Sequence, residues 1–203
     1  MKNRFIGLFA VLFVVFNSTS AVAQQLTGKL TVDIQMFTSE VKLKPKVENI
    51  LKGGGLEWGA KDGNIVFTMV NKRFINFDIQ NYTAYGKQTT IDLPEGDYTI
   101  SGVGLIPSTG VSPEKVLAKG GYFNEKIMTI RIEANKTSVI KISPVIQKNA
   151  TFFVNYFMPD LVTTTLTPEG VASPEVSIVA KNENSLPWAT YTGFLKLPVQ
   201  QTK

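Results

Sequence analysis

Apolar and polar residues alternate along much of the chain with a period of two, the spacing that sends successive side chains to opposite faces of a strand. Leu30-Thr31-Val32-Asp33-Ile34-Gln35-Met36 holds this alternation over seven residues. Phe74 to Ile79 and Thr89 to Leu93 repeat it, most cleanly in Ile75-Asn76-Phe77-Asp78-Ile79 and Ile91-Asp92-Leu93. Ile127 to Ile132 and Val139 to Ile142 do the same through Ile130-Arg131-Ile132 and Ile140-Lys141-Ile142. Gly63 to Val70 and Thr151 to Phe157 are richer in apolar residues and predict central strands covered on both faces. Val176 to Ala180 and Thr190 to Leu197 bring the expected number to about ten strands.

The punctuation between these runs predicts how they connect. Leu93-Pro94-Glu95-Gly96-Asp97-Tyr98 sets Pro where a turn needs a fixed φ and Gly where φ is often positive. Asn135-Lys136-Thr137 and Asn71-Lys72 read as further tight connections. Strands joined so closely are expected to be antiparallel, because a parallel crossover needs a dozen or more residues. Two short helices are predicted besides. Ser112-Pro113-Glu114-Lys115-Val116-Leu117-Ala118-Lys119-Gly120 offers an N-cap Ser, Pro at the first helical position and a closing Gly. Pro45 to Lys52 gathers Val47, Ile50 and Leu51 on one face before Gly53-Gly54-Gly55. The expected fold is an all-β, antiparallel Greek-key sandwich with one or two short helices. One domain over residues 24–203 is expected, with an elaborated C-terminal part over residues 144–203.

The first residues change the picture of address. Lys2 and Arg4 precede an uncharged run from Phe5 to Phe16, and Ala21-Val22-Ala23 follows a polar stretch. That is the order of a secretory signal peptide, and twelve apolar residues fall short of the ~20 that span a bilayer. Cleavage after Ala23 is expected, leaving 180 residues that carry 19 basic and 16 acidic side chains. So small an excess is no nucleic-acid footprint, and no later run approaches transmembrane length. The expected location is secreted or periplasmic, with association at the cell surface.

Composition narrows the chemistry. The chain has no Cys and no His. Thiol nucleophiles, disulfides and zinc–thiolate sites are therefore excluded, along with the commonest general base. No cofactor is expected. Ser112-Pro113-Glu114-Lys115 matches the S-x-x-K pattern of penicillin-recognising serine enzymes, in which the Lys amine accepts the Ser proton. A K-T-G strand is lacking, Tyr122-Phe123-Asn124 follows too closely to be the middle motif, and Ser138-Val139-Ile140-Lys141 matches again on a strand. A capped helix accounts for the motif better. Asp92, Glu95 and Asp97 surround one turn and could offer oxygens to calcium, as could Asp62 beside Gly63-Asn64, although acidic residues are also ordinary turn residues. Trp58, and Trp188 with Tyr191, occur beside loop-forming residues, where an aromatic face can stack on a sugar or anchor a partner, or close a core. Tyr82 and Tyr85 are a weaker version of the same pattern.

The run Thr89 to Ile100, with Leu93-Pro94-Glu95-Gly96 followed by Asp97-Tyr98-Thr99-Ile100, resembles the late hairpin of prealbumin-like β-sandwich modules. These include the Cna-B-type stalk domains and carboxypeptidase regulatory-like domains of exported proteins. Ile127 to Ile132, Asn135-Lys136-Thr137 and Val139 to Ile142 are similar to their closing hairpin. The resemblance spans Gly86 to Val145 and implies a seven-stranded Greek-key sandwich, usually a spacer, adhesin part or binding module without catalysis. The chain departs from it in the Pro107–Gly121 insertion and in the residues after Val145. An exported, non-catalytic sandwich that binds a protein or glycan at the cell envelope is the leading expectation. A carbohydrate-binding module using Trp58 or Trp188, and a small hydrolase using Ser112 with Lys115, are the alternatives.

Overall fold

In β1 (Thr27–Ile34) the predicted alternation becomes burial: Leu30, Val32 and Ile34 are fully buried, whereas Lys29 is exposed and Thr31 and Asp33 are half-buried. The computed structural model describes residues 26–68, 80–106, 113–151 and 154–193. The expected leader, Asn71-Lys72, the run Phe74 to Ile79, Ser112 and the stretch Phe194 to Leu197 lie outside the described residues. After β1 come β2 (Thr38–Ser39), α1 (Pro45–Lys52), β3 (Gly55–Lys61), β4 (Asn64–Thr68), β5 (Asn81–Ala84), β6 (Lys87–Pro94) and β7 (Gly96–Leu105). Then follow α2 (Pro113–Gly120), β8 (Gly121–Ile132), β9 (Thr137–Thr151), β10 (Val154–Leu166), β11 (Val176–Ser177) and β12 (Leu186–Pro187).

These strands form two sheets. One runs β11-β10-β9-β1-β6, with β2 alongside β9; the other runs β12-β8-β7-β4-β3-β5. Side chains from both meet in one core, Leu30, Val32, Ile140 and Ile142 on one side and Trp58, Ile65, Phe67, Ile100 and Ile132 on the other. The all-β sandwich with two short helices is thus present. Its sheets are mixed, however, since β1–β9, β2–β9 and β4–β7 pair parallel.

The reason lies in the short connections. β6 belongs to the first sheet and β7 to the second, so Leu93 to Tyr98 is a corner between sheets and not a hairpin. The same correction applies to Asn135-Lys136-Thr137: β8 lies in the second sheet and β9 in the first. Tyr85-Gly86 makes a third corner, from β5 to β6. A strand that bends out of one sheet into the other gains no partner from its sequence neighbour. Asp62-Gly63 is a true hairpin turn. Both residues have positive φ, 48° and 72°, as a two-residue type I′ connection requires.

Gly96 turns the β6–β7 corner with φ 155°, and a Cβ there would meet nothing within 4 Å. Leu93 and Ile100 on either side are buried, and the Tyr98 hydroxyl donates to the Pro94 carbonyl at 3.0 Å, pinning the bend. Gly96→Val should therefore cost on the order of 1 kcal/mol, through the backbone alone. Tyr98→Phe should cost about 1 kcal/mol by losing a half-shielded hydrogen bond. Urea titration of each variant checks both values.

Other expectations shift in detail. Gly63 to Val70 yields β4, whose Ile65, Val66, Phe67 and Thr68 are all buried, as a strand covered on both faces should be. Thr151 to Phe157 is not one strand: β9 ends at Thr151 and β10 starts at Val154, paired with it. Thr190 to Gly193 is not strand either, since the Thr190 and Tyr191 amides donate to the Pro187 carbonyl in a turn. Pro144, the first residue of the expected C-terminal part, lies inside β9. It sits between the last residue that pairs with β1, Ile142, and the first that pairs with β2, Val145, where the missing N–H costs no ladder bond on that side.

The C-terminal residues close the sandwich. Ile178, fully buried, donates its amide to the Leu161 carbonyl of the first sheet. Its own carbonyl accepts from the Asn124 Nδ2 of the second sheet at 3.2 Å. Asn124 Nδ2 also reaches the Ala180 carbonyl at 2.9 Å, its Oδ1 accepts from Ser185, and the Tyr122 hydroxyl donates to the Val179 carbonyl. Gly102 permits this approach, because a Cβ there would stand 2.3 Å from the Ile178 oxygen.

Candidate functional site

The aromatic candidates divide between two cores. Trp58 lies on β3, fully buried between the sheets, stacked on Phe67 with centroids 6.0 Å apart. Its indole N–H donates to the Thr83 Oγ1 at 3.0 Å. The period-two spacing of Leu56, Trp58 and Ala60 is the sequence signal of this strand, masked by Gly53-Gly54-Gly55 and Gly59, which are equally the composition of a loop. Trp188 and Tyr191 come together on the opposite face of the second sheet, rings 5.9 Å apart, with Tyr191 also 4.9 Å from Phe123. With Val66, Val103 and the α2 residue Leu117 they form a second buried cluster. In this arrangement all three rings serve as packing, and none offers a face to a sugar.

At the corner end of the sandwich, the Asp62-Gly63 turn and the Leu93–Tyr98 corner border an open groove of about 500 Å³. Its carboxylates do not converge. Asp97 is paired with Arg131 at 3.0 Å, and Asp92, just outside, with Lys29 at 2.9 Å. Among the described residues no group of three or more acidic side chains is arranged to hold a metal ion. Nearby, Lys136 bridges Glu133 at 2.7 Å and Glu169 at 2.8 Å. Hydrogen bonds to Glu133 and Glu169 push the Lys136 pKa up, and the bond from Lys136 holds the Glu169 carboxyl below its ordinary range. A depressed carboxyl lends stability above its unfolded pKa and loses it as pH falls through the folded one. Lys136 and Glu169 are exposed and Glu133 is only half-buried, so the contribution is small and screened. Lys136→Gln should lower Tm slightly at low salt and near neutral pH, with the difference from wild type vanishing at high salt or in acid.

The two Ser–Lys matches fall on α2 and β9. Ser112 is outside the described residues, and Lys115 is exposed on the first turn of α2. Ser138 is buried, donates to the Arg131 carbonyl at 2.7 Å, and precedes Lys141 by three along a strand, which sends the two to opposite faces.

The other end of the sandwich is different in character. Pro45 opens α1, Lys52 pairs with Glu48 one turn away at 2.8 Å, and the Gly53 and Gly54 amides close the last turn. The predicted amphipathic helix forms, yet none of its residues is buried. Val47 and Leu51 are half-buried and Ile50 is 68% exposed. Local contacts extend the surface: the Tyr82 hydroxyl lies 3.5 Å from the Gly53 carbonyl, the Tyr85 ring packs beside Gly54, and Met36 lies against Gly86. Tyr82 is 55% and Met36 49% exposed. Lys42, Lys44, Lys46 and Lys52, on α1 and the residues leading into it, and Lys87 next to Gly86 are all exposed, with Glu40 and Glu48 as the acidic residues of the helix segment. Tyr82 thus remains an exposed ring from the aromatic pattern, while Tyr85 is buried, its phenol pKa raised by burial and then by Tyr82.

No family model, no curated protein and no solved structure matches the chain. Among the described residues no helix is long and apolar enough to cross a membrane.

Proposed function

We propose that this chain is an exported, non-catalytic β-sandwich that binds a macromolecular partner at the cell envelope. The observation that carries the reading is the α1 end, where Ile50 on the helix and Met36 and Tyr82 beside its flanking glycine turns are exposed, in a stretch rich in exposed lysines. Single exposed apolar side chains are ordinary, but several of them on and beside one short lysine-rich helix have the composition of a binding surface. The signal-peptide-like order of residues 1–23 supports export.

The test is fractionation followed by binding. The protein is recovered from its cells, its N-terminus is read by mass spectrometry, and its sedimentation with purified envelopes is titrated. Recovery outside the cytoplasm with a new N-terminus near Gln24, and saturable co-sedimentation, are expected. A cytoplasmic protein, or one that never saturates the envelope fraction, overturns the proposal.

A further inference from the structure

Resting on the envelope reading above, we infer that α1 with its flanking residues docks on an anionic lipid surface, the helix lying in the headgroup plane. The helix is built for two environments. Its polar side and flanks carry Lys42, Lys44, Lys46 and Lys52, and its apolar side carries Val47, Ile50 and Leu51. In a helix that packs on its own core, such an apolar stripe is buried. Here the stripe is offered outward at Ile50, and no residue of the helix reaches full burial. A basic amphipathic helix left in this state has the composition of interfacial membrane helices, which place apolar residues at the acyl boundary while lysines stay with the anionic headgroups.

Charge complementarity selects the occupant. The segment Glu40–Lys52 holds four Lys against two Glu, and one of those Glu is engaged by Lys52 within the helix. Lys87 adds a further exposed cation beside Gly86, the residue that contacts Met36. An acidic protein would satisfy the lysines but would leave Ile50, Met36 and Tyr82 to find apolar pockets of their own. A neutral glycan would leave the lysines unanswered. A lipid surface answers both. Tyr82 suits such an interface as well, being an amphipathic ring with its hydroxyl at the helix end.

The experiment uses the protein recovered from cells, with vesicles of equal parts phosphatidylglycerol and phosphatidylcholine, and pure phosphatidylcholine vesicles as the control. Binding to the anionic vesicles that weakens as salt rises, with little binding to the control, is expected. Neutralising Lys44 and Lys46 together, as Lys44→Gln/Lys46→Gln, should reduce partitioning roughly 25-fold. Ile50→Ser should weaken binding in both low and high salt, and Ile50→Trp should show a blue-shifted emission on adding anionic vesicles. All of these positions are exposed, so unchanged melting temperatures are expected and separate docking from folding. Equal vesicle binding by wild type and the Lys44→Gln/Lys46→Gln variant overturns the inference, as does an unshifted emission from Ile50→Trp. Binding to envelopes that persists while phosphatidylglycerol vesicles fail, or that protease treatment of the envelopes abolishes, overturns the lipid assignment alone. Failure on both envelopes and vesicles removes the envelope reading too.

Discussion

Trp58→Ala is expected to cost about 3–5 kcal/mol, the range for truncating a large aromatic in a closed core. The indole is fully buried, rests on Phe67 and hands its N–H to the Thr83 hydroxyl, which itself donates to Thr89 at 2.7 Å. Truncation removes the ring contacts, opens a cavity between the sheets and deprives a buried hydroxyl of a donor. Typical domains have only about 5–15 kcal/mol in hand, so the variant should melt far below wild type or fail to accumulate. Trp58→Phe, which retains most of the packing, should lose about 1–2 kcal/mol. A ring that served only to stack on a sugar would give another result: its removal would leave the urea midpoint unchanged and abolish binding. Urea midpoints of the two variants decide between these outcomes.

Asn124→Ala should come next, at about 2–4 kcal/mol. The side chain is almost wholly buried and uses both of its amide hydrogens, giving Nδ2 to the Ile178 and Ala180 carbonyls, while its Oδ1 accepts from the Ser185 hydroxyl. Ala leaves two carbonyls without their donor at the place where the C-terminal segment bridges the sheets. Asn124→Asp should be at least as damaging, because a carboxylate would face those same oxygens. The loss should also be local. Limited proteolysis should cut between Ala180 and Ser185 in the variant under conditions that spare wild type. Ser185→Ala, which removes one partly exposed hydroxyl, should stay within about 1 kcal/mol. Resistance of Asn124→Ala to cleavage in that stretch would show that other contacts hold the segment.

What the sequence makes legible here is which residues face inward. Leu30, Val32 and Ile34, or Ile140 and Ile142, are buried because alternation reports the face of a strand, and β4 is covered on both sides because its apolar run is unbroken. Alternation is silent about which sheet a strand joins. Leu93 to Tyr98 and Asn135 to Thr137 have the composition of hairpin turns, yet both are corners, since a short Gly- or Asn-containing bend can fold back beside its own strand or arch across to the other sheet. The choice is made by distant partners such as Ile91 opposite Leu30 and Thr99 beside Asn64, which no local window contains. Site residues follow the same division. The apolar face of α1 could be read from its spacing, but the exposure of its Ile50 depends on where residues distant in sequence lie, which no local window contains. Asn124 gave no sign of its clasp, because its partners Ile178 and Ala180 lie more than fifty residues away.

The parallel ladder between β1 and β9 has a consequence in time. Lys29 pairs with Thr137 and Ile34 with Ile142, so the first strand of the fold waits for residues made more than a hundred positions later. Until then β1 can hold β6 on one side only, and its other edge is a row of unmatched amides and carbonyls. Closing a loop of that length is entropically slow to initiate, and chains dominated by such distant pairings fold in milliseconds to seconds, well behind helical bundles of similar size. A ribosome-bound chain that stops short of Thr137 should therefore show no protected core, and protection of Leu30, Val32 and Ile34 in pulsed hydrogen exchange should appear in a single late step with that of Ile140 and Ile142.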